Sequence, residues 1–189
     1  MDITQLILDD HHEQRRLFAI LEQVGRADAG TLGEVWARLS AFLVVHAAAE
    51  EEIFYPELLR AGQRAGRVGP TEAETLVAIS DHNDIRDAIA AVAGHAVGSD
   101  GWYAAIATVN AANGDHMAEE EREGLTDFRR EAGLQLRHDL AVAFAAFEAR
   151  HFVGVRPVDR DPAAYVRQAE QAGRRLSAGS LGIGSLKGT

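Results

Sequence analysis

The 189-residue chain contains no cysteine. That excludes disulfides, thiolate metal sites, iron–sulfur clusters and cysteine-based peroxide chemistry. Any metal must be held by nitrogen and oxygen. Strand-like alternation is missing, and aromatics make up only 6% of the residues. No window of 18 apolar residues occurs, so no spanning helix and no membrane partner are expected. Lys and Arg total 19 against 29 Asp and Glu, a formal net charge of −10. That balance argues against nucleic acid as a partner, because affinity for a phosphate backbone comes largely from basic side chains. The opening Met1-Asp2-Ile3-Thr4-Gln5 lacks a basic segment followed by an apolar run. No signal peptide is expected, and the cytoplasm is the expected compartment.

The apolar share is 47%, most of it Ala, Leu and Val, which suits packed helices. Asp2 with Gln5 predicts a helix over 3–24 that ends at Gly25. A Thr31-x-x-Glu34 capping box predicts a second, stopping or kinking at Pro56. Residues 61–70 read as a loop. Thr71-x-x-Glu74 is another capping box and opens a third helix to about residue 94. A turn over 98–101, with Asp100 as a cap, leads into a fourth helix over 102–123, interrupted at Gly124. A fifth stretch covers 127–151. Asp161-Pro162 starts a short helix to about 176, and a Gly/Ser-rich extended arm follows from Ser177. The predicted fold is all-α: an up-down-up-down four-helix bundle in a domain of residues 1–151, with a C-terminal helix and arm over 152–189. The segments 3–56 and 72–124 form an internal pseudo-repeat.

One pattern of metal-ligand type is written twice. Asp10-His11 is followed, 35 residues after the histidine, by His46-x-x-x-Glu50, and Asp81-His82, after 34, by His116-x-x-x-Glu120. Residues four apart share a helix face, so each His-x-x-x-Glu pair can grip one ion from one side. At about 100° per residue, His46, Glu50, His82, His116 and Glu120 fall on or near the apolar faces of their helices, and His11 at the margin of its own. His12 points to solvent, and the repeat places Asn83 opposite it. Tyr55 is predicted on the far side of its helix from His46. Carboxylates on apolar faces cost several kcal/mol each unless neutralised, and a bound cation removes that cost. The predicted metal ligands are therefore His11, His46, Glu50, His82, His116 and Glu120.

These residues, with Asp10-His11-His12-Glu13 and Phe54-Tyr55-Pro56, resemble the hemerythrin-like family of HHE cation-binding domains over about residues 1–150. The resemblance implies a four-helix bundle holding two iron ions, oxo- or hydroxo-bridged. The four histidines would be terminal ligands, and Glu50 and Glu120 would bridge. The chain departs from oxygen-carrying members, which have a fifth histidine where this chain has Ala78 and place an Asp five residues, not four, after the fourth-helix His. Both departures suit the bacterial branch. Whether His151, Glu51 or Glu119 adds a ligand stays open.

Two octahedral ions need about twelve donor positions, of which this set and one bridge fill about ten. The exposed positions suit dioxygen, peroxide or nitric oxide. The expected function is oxygen or redox sensing, or peroxide disproportionation, with no catalytic residue assigned. The alternative is an iron-responsive structural module without catalysis, whose protein partner is unknown. A ferritin-like oxidase would need two Glu-x-x-His motifs, and only Glu148-x-x-His151 fits. Nitrogen–oxygen sites also accept zinc or manganese.

Overall fold

The computed structural model describes residues 1–181, with side chains through Leu176. Described residues outside turns and links are helical. The elements are α1 (Ile3–Gln23), α2 (Ala29–Ala49), a π-helical turn (Glu50–Phe54), α3 (Tyr55–Ala65), α4 (Val68–Val92), α5 (Asp100–Arg122), α6 (Gly124–Glu131), α7 (Leu134–Arg150) and α8 (Pro162–Leu181). The bundle pairs α1 with α2 and α4 with α5. Contacts of α3 with α4 and of α1 with α5 close it. α7 packs on α1, and α8 packs on α3 and α4. This is the expected all-α bundle with an added C-terminal helix.

Local chemistry sets the helix ends. Asp2 caps α1 by accepting from the Thr4 amide, and Asp28 caps α2 from the Thr31 amide, so α2 starts two residues before Thr31. Ser99, not Asp100, caps α5. The sequence reads 61–70 as a loop, but α3 runs to Ala65 and stops at Gly66, whose φ of 71° supplies the left-handed C-terminal cap. α4 then begins at Val68, because Pro70 is tolerated in a first turn. Thr71 bonds back to the Arg67 and Val68 carbonyls, so Thr71 and Glu74 do not form the expected capping box. The fifth stretch is two helices, α6 and α7, divided at Ala132 and Gly133. α8 continues through the start of the expected arm to Leu181; the rest of that arm lies outside the described residues.

Pro56 neither ends nor sharply divides the second helix. The Tyr55 amide bonds the Glu50 carbonyl, five residues back. One wide turn thus absorbs the proline, and Ala29–Ala65 forms a continuous helix of 37 residues. By length and composition this helix could cross a membrane, which the window of unbroken apolar residues did not detect because Arg38 and His46 interrupt it. Here its apolar side chains fill the bundle's core.

That core has two apolar blocks. One gathers Ile3, Ile7, Phe54, Leu58, Phe128 and Phe144; the other gathers Leu17, Leu21, Leu39, Val92, Trp102 and Val109. On α1, α2, the π-helical turn, α4 and α5 the residues between the blocks are polar and buried: His11 and Gln14, His46 and Glu50, His82, Asn113, His116 and Glu120. A polar layer therefore lies between two hydrophobic ones.

Candidate metal centre

Helical spacing brings the layer together. His46 and Glu50 stand one turn apart, with His46 Nε2 2.9 Å from Glu50 Oε1. The other oxygen, Oε2, lies 3.3 Å from His82 Nε2 on α4. Glu50 thus faces a histidine on each side. His82 Nε2 and His116 Nε2 are 3.1 Å apart, and His11 Nε2 is 3.4 Å from Glu120 Oε2. His11, His46 and Glu50 each offer a ligand atom within 4.8 Å of the others, as do Glu50, His82 and His116. All six predicted residues lie in this one layer. Glu120 joins it through His11 and, by its Oε1, through Tyr55.

Each histidine turns its other nitrogen to a carboxylate. His46 Nδ1 is 3.1 Å from Asp10, His82 Nδ1 3.0 Å from Glu51, and His11 Nδ1 3.0 Å from Glu121. His116 Nδ1 is 3.5 Å from Asp81. The four contacts run α1 to α2, α2 to α4, α4 to α5 and α5 to α1, a closed circuit. Holding Nδ1–H against an acid fixes the tautomer and leaves the Nε2 lone pair for a metal. Glu51 is held in turn by Arg86 at 2.5 Å and by Arg160, and Glu121 by Arg15 at 2.8 Å.

The donor set fits a cation. His11 Nε2, His46 Nε2, both oxygens of Glu50 and Glu120 Oε2 are buried without a hydrogen-bond partner. Buried polar atoms are nearly always satisfied, so five together in one layer call for a ligand. Nitrogen and carboxylate oxygen are the donors that iron, zinc and manganese accept.

The electrostatics agree. Burial works against charging His46, yet Glu50 and Asp10 outweigh it and hold its pKa well above the ordinary value. His82 and His11 are raised the same way, against burial, by Glu50 with Glu51 and by Glu120 with Glu121. Burial would raise Glu50, but His46 and His82 override it and keep it well below the usual carboxylate range. Glu51 falls to about 2, where His82 and Arg86 overcome burial. The metal-free cluster therefore holds protons on imidazole. Raised histidines stabilise the fold fully below their unfolded value of 6.5 and lose that contribution as pH rises through the folded values. The lowered Glu50 stabilises above 4.5 and loses its contribution as pH falls through its folded value. The metal-free bundle is thus best served by this cluster between those limits. Metal must displace the imidazole protons, so loading at neutral pH is expected to release protons into weak buffer, and affinity is expected to fall as pH drops. An indicator-dye titration measures this; loading without proton release would remove the histidines from the ligand set.

Tyr55 and Glu74 depart from their expected places, and the structure places Glu51, Glu119 and His151, which the sequence left open. Tyr55 points inward, buried, and donates to Glu120 Oε1 at 2.8 Å. The π turn adds a residue's rotation that a uniform 100° step omits, and only a proline soon after the His-x-x-x-Glu pair hints at it. Glu51 does not join the four imidazoles' inner nitrogens; it orients His82. Glu74, read as a cap, lines a cavity beside the centre, with Oε2 buried and unpartnered. Burial, with Asp127 and Glu123 nearby, raises its carboxyl to about 7. Glu119 is exposed, and His151 Nδ1 bonds the Phe147 carbonyl at 2.9 Å; neither enters the layer.

Residues outside the four ligand-bearing helices complete the centre. Phe144 of α7 sets its ring against His46, at 5.8 Å between centroids. The Tyr165 hydroxyl of α8 donates to the Glu51 carbonyl at 2.5 Å. No curated protein and no solved structure matches the chain. The family model described as hemerythrin HHE cation binding domain matches residues 2–126, a span that holds all four histidines, both inner glutamates and the four acids behind them. The chain belongs to the hemerythrin family of HHE cation-binding domains.

Proposed function

We propose that the protein holds a pair of iron ions, carboxylate-bridged, and admits a small oxygen or nitrogen species to them in the cytoplasm, for redox sensing or peroxide disproportionation. The observation carrying this reading is a cavity of about 250 Å³ that opens beside the histidine layer. Its inner wall includes His116, Glu120 and Tyr55, and its sides are Leu58, Pro70, Ala73 and Val77. Ala78, at the position where the resemblance places a fifth histidine, also lines it. The small side chain leaves room where an imidazole would stand. Gly62 lets α3 approach α4 close to this cavity, since a Cβ there would collide with the Thr71 side chain.

Bound iron would supply exchangeable positions and one-electron steps between ferrous and ferric states. The chain's own residues do the rest. His11, His46, His82 and His116 would hold the ions through Nε2, and Glu50 offers one oxygen to each half. Tyr55 fixes Glu120 by its hydroxyl proton. Glu74, with a carboxyl near neutrality, can hold or release a proton at the cavity wall. Apolar side chains limit water between that proton and the layer.

Aerobically purified protein should carry about two irons per chain and absorb in the near ultraviolet. Mixing it with peroxide and following oxygen release separates turnover from binding, since each oxygen evolved consumes two peroxides. Ala78→His should fill the cavity and slow the reaction with peroxide at least about tenfold, as loss of one exchangeable position and its access would. Unchanged rates in that variant would rule out the cavity as the route. A second reading, an iron-responsive interaction module, is favoured by Arg160 and Tyr165. These lie beyond the family match yet grip Glu51, so metal loading and the C-terminal segment share a contact.

A further inference from the structure

The acidic chain gathers positive charge in one place away from the centre. A cleft of about 440 Å³ runs between α2, α7 and the 151–160 link. Arg86, Arg150, Arg156 and Arg160 line it, opposed by Glu51 and Glu52. Four of the 19 basic residues thus stand together on a molecule of net charge −10, and arginine exceeds glutamate by two in the lining.

The pairing of these arginines is incomplete. Arg86 is 6% exposed. It bonds Glu51 at 2.5 Å and Asn83 at 3.2 Å, but its Nε is buried without a partner. Leaving a buried donor unmet is costly, so Arg86 keeps hydrogen-bonding capacity for an oxyanion. Arg160 gives Nε to Glu51, while Arg150 and Arg156 have no acceptor among the described residues. Its backbone amide and carbonyl are pinned by the Asn83 side chain, at 3.0 and 2.7 Å, so the link is fixed across the cleft. The remaining lining is His151 and an apolar set that includes Val44, Ala48, Phe147, Val155 and Val158.

We infer that this cleft binds a small organic anion, its phosphate or carboxylate group held by Arg86, Arg150, Arg156 and Arg160 and its apolar body resting on the Val44–Phe147 side. Arginine forks match planar or tetrahedral oxyanions with paired N–H donors. The cleft is far larger than a bare oxyanion needs, and half its character is hydrophobic, so an ion alone would leave apolar surface uncovered. The ligand reaches the same guanidinium groups that hold Glu51, and therefore sits behind His82 without touching the histidine layer. The inference does not depend on which metal the centre holds.

Inorganic phosphate and phenyl phosphate are the probes, titrated into the full chain by calorimetry against chloride of matched ionic strength. Saturable binding of both is expected, with phenyl phosphate at least fivefold tighter. Arg150 and Arg156 are exposed and their side chains make no hydrogen bond or ion pair among the described residues, so the double variant R150Q/R156Q should keep its helical circular dichroism and bind phenyl phosphate at least tenfold more weakly. No saturation beyond chloride, or equal affinity in the double variant, would overturn the site. Equal affinity for the two probes would overturn the apolar half of it.

Discussion

Glu50→Ala is expected to strip the protein of metal at both candidate positions of the layer. The side chain is fully buried, and its two oxygens face His46 on one side and His82 on the other. Neither oxygen has another partner. Loss of an outer carboxylate behind a metal-bound histidine costs about 10- to 100-fold in affinity, and loss of a residue serving two half-sites should exceed the upper end of that range. Metal per chain, measured after loading and desalting, gives the answer. The metal-free variant should stay helical, because His46 and His82 can shed their protons and stay as neutral imidazoles against Asp10 and Glu51. Parent-level metal in the variant would take Glu50 out of the centre.

Removing the metal from the parent chain should lower its thermal midpoint by about 15–30 °C. An ion present at 1,000 times its dissociation constant stabilises a fold by about 4 kcal/mol, so the proposed pair would contribute about 8. In a chain of this size each kcal/mol moves the midpoint by about 2–4 °C. The layer explains why the effect falls on global stability. It joins four helices, and without a cation its orphaned donors and carboxylates meet only one another. Calorimetry with and without chelator makes the measurement. Coincident midpoints would deny metal any role in folding and end the interaction-module reading.

Much of the centre was legible along the chain because helical periodicity is local. His46 with Glu50 and His116 with Glu120 follow from the four-residue step alone, and the repeat aligns His11 with His82. What could not be read depends on distance through space. The acid behind each imidazole belongs to another helix, so the Asp10–His46 and Glu51–His82 pairs require the bundle's register. Tyr55 was misplaced because Pro56 is absorbed by a wide turn rather than a break, which rotates all that follows. Glu74 was mistaken for a cap because α4 begins three residues earlier than its capping box suggests, with Pro70 inside the first turn. The division between α6 and α7 at Ala132 and Gly133 has a weak signal in one glycine. Among the predicted ligands the resemblance and the periodicity point to the same residues; the cavity wall depends on how α3, α4 and α5 pack.

The circuit of acids and imidazoles has a directional consequence. Asp10 serves a histidine on its own helix pair, as Asp81 does in the second pair, but Glu51 and Glu121 each reach across to the other pair. One pair by itself would leave its first imidazole unoriented, whereas two identical pairs related by a dyad would regenerate the whole loop. A half-length peptide carrying only residues of the first pair could therefore rebuild the layer by associating with its own copy. Tyr55, which has Leu125 at the corresponding place in the second pair, breaks that symmetry and makes the two candidate metal positions unequal.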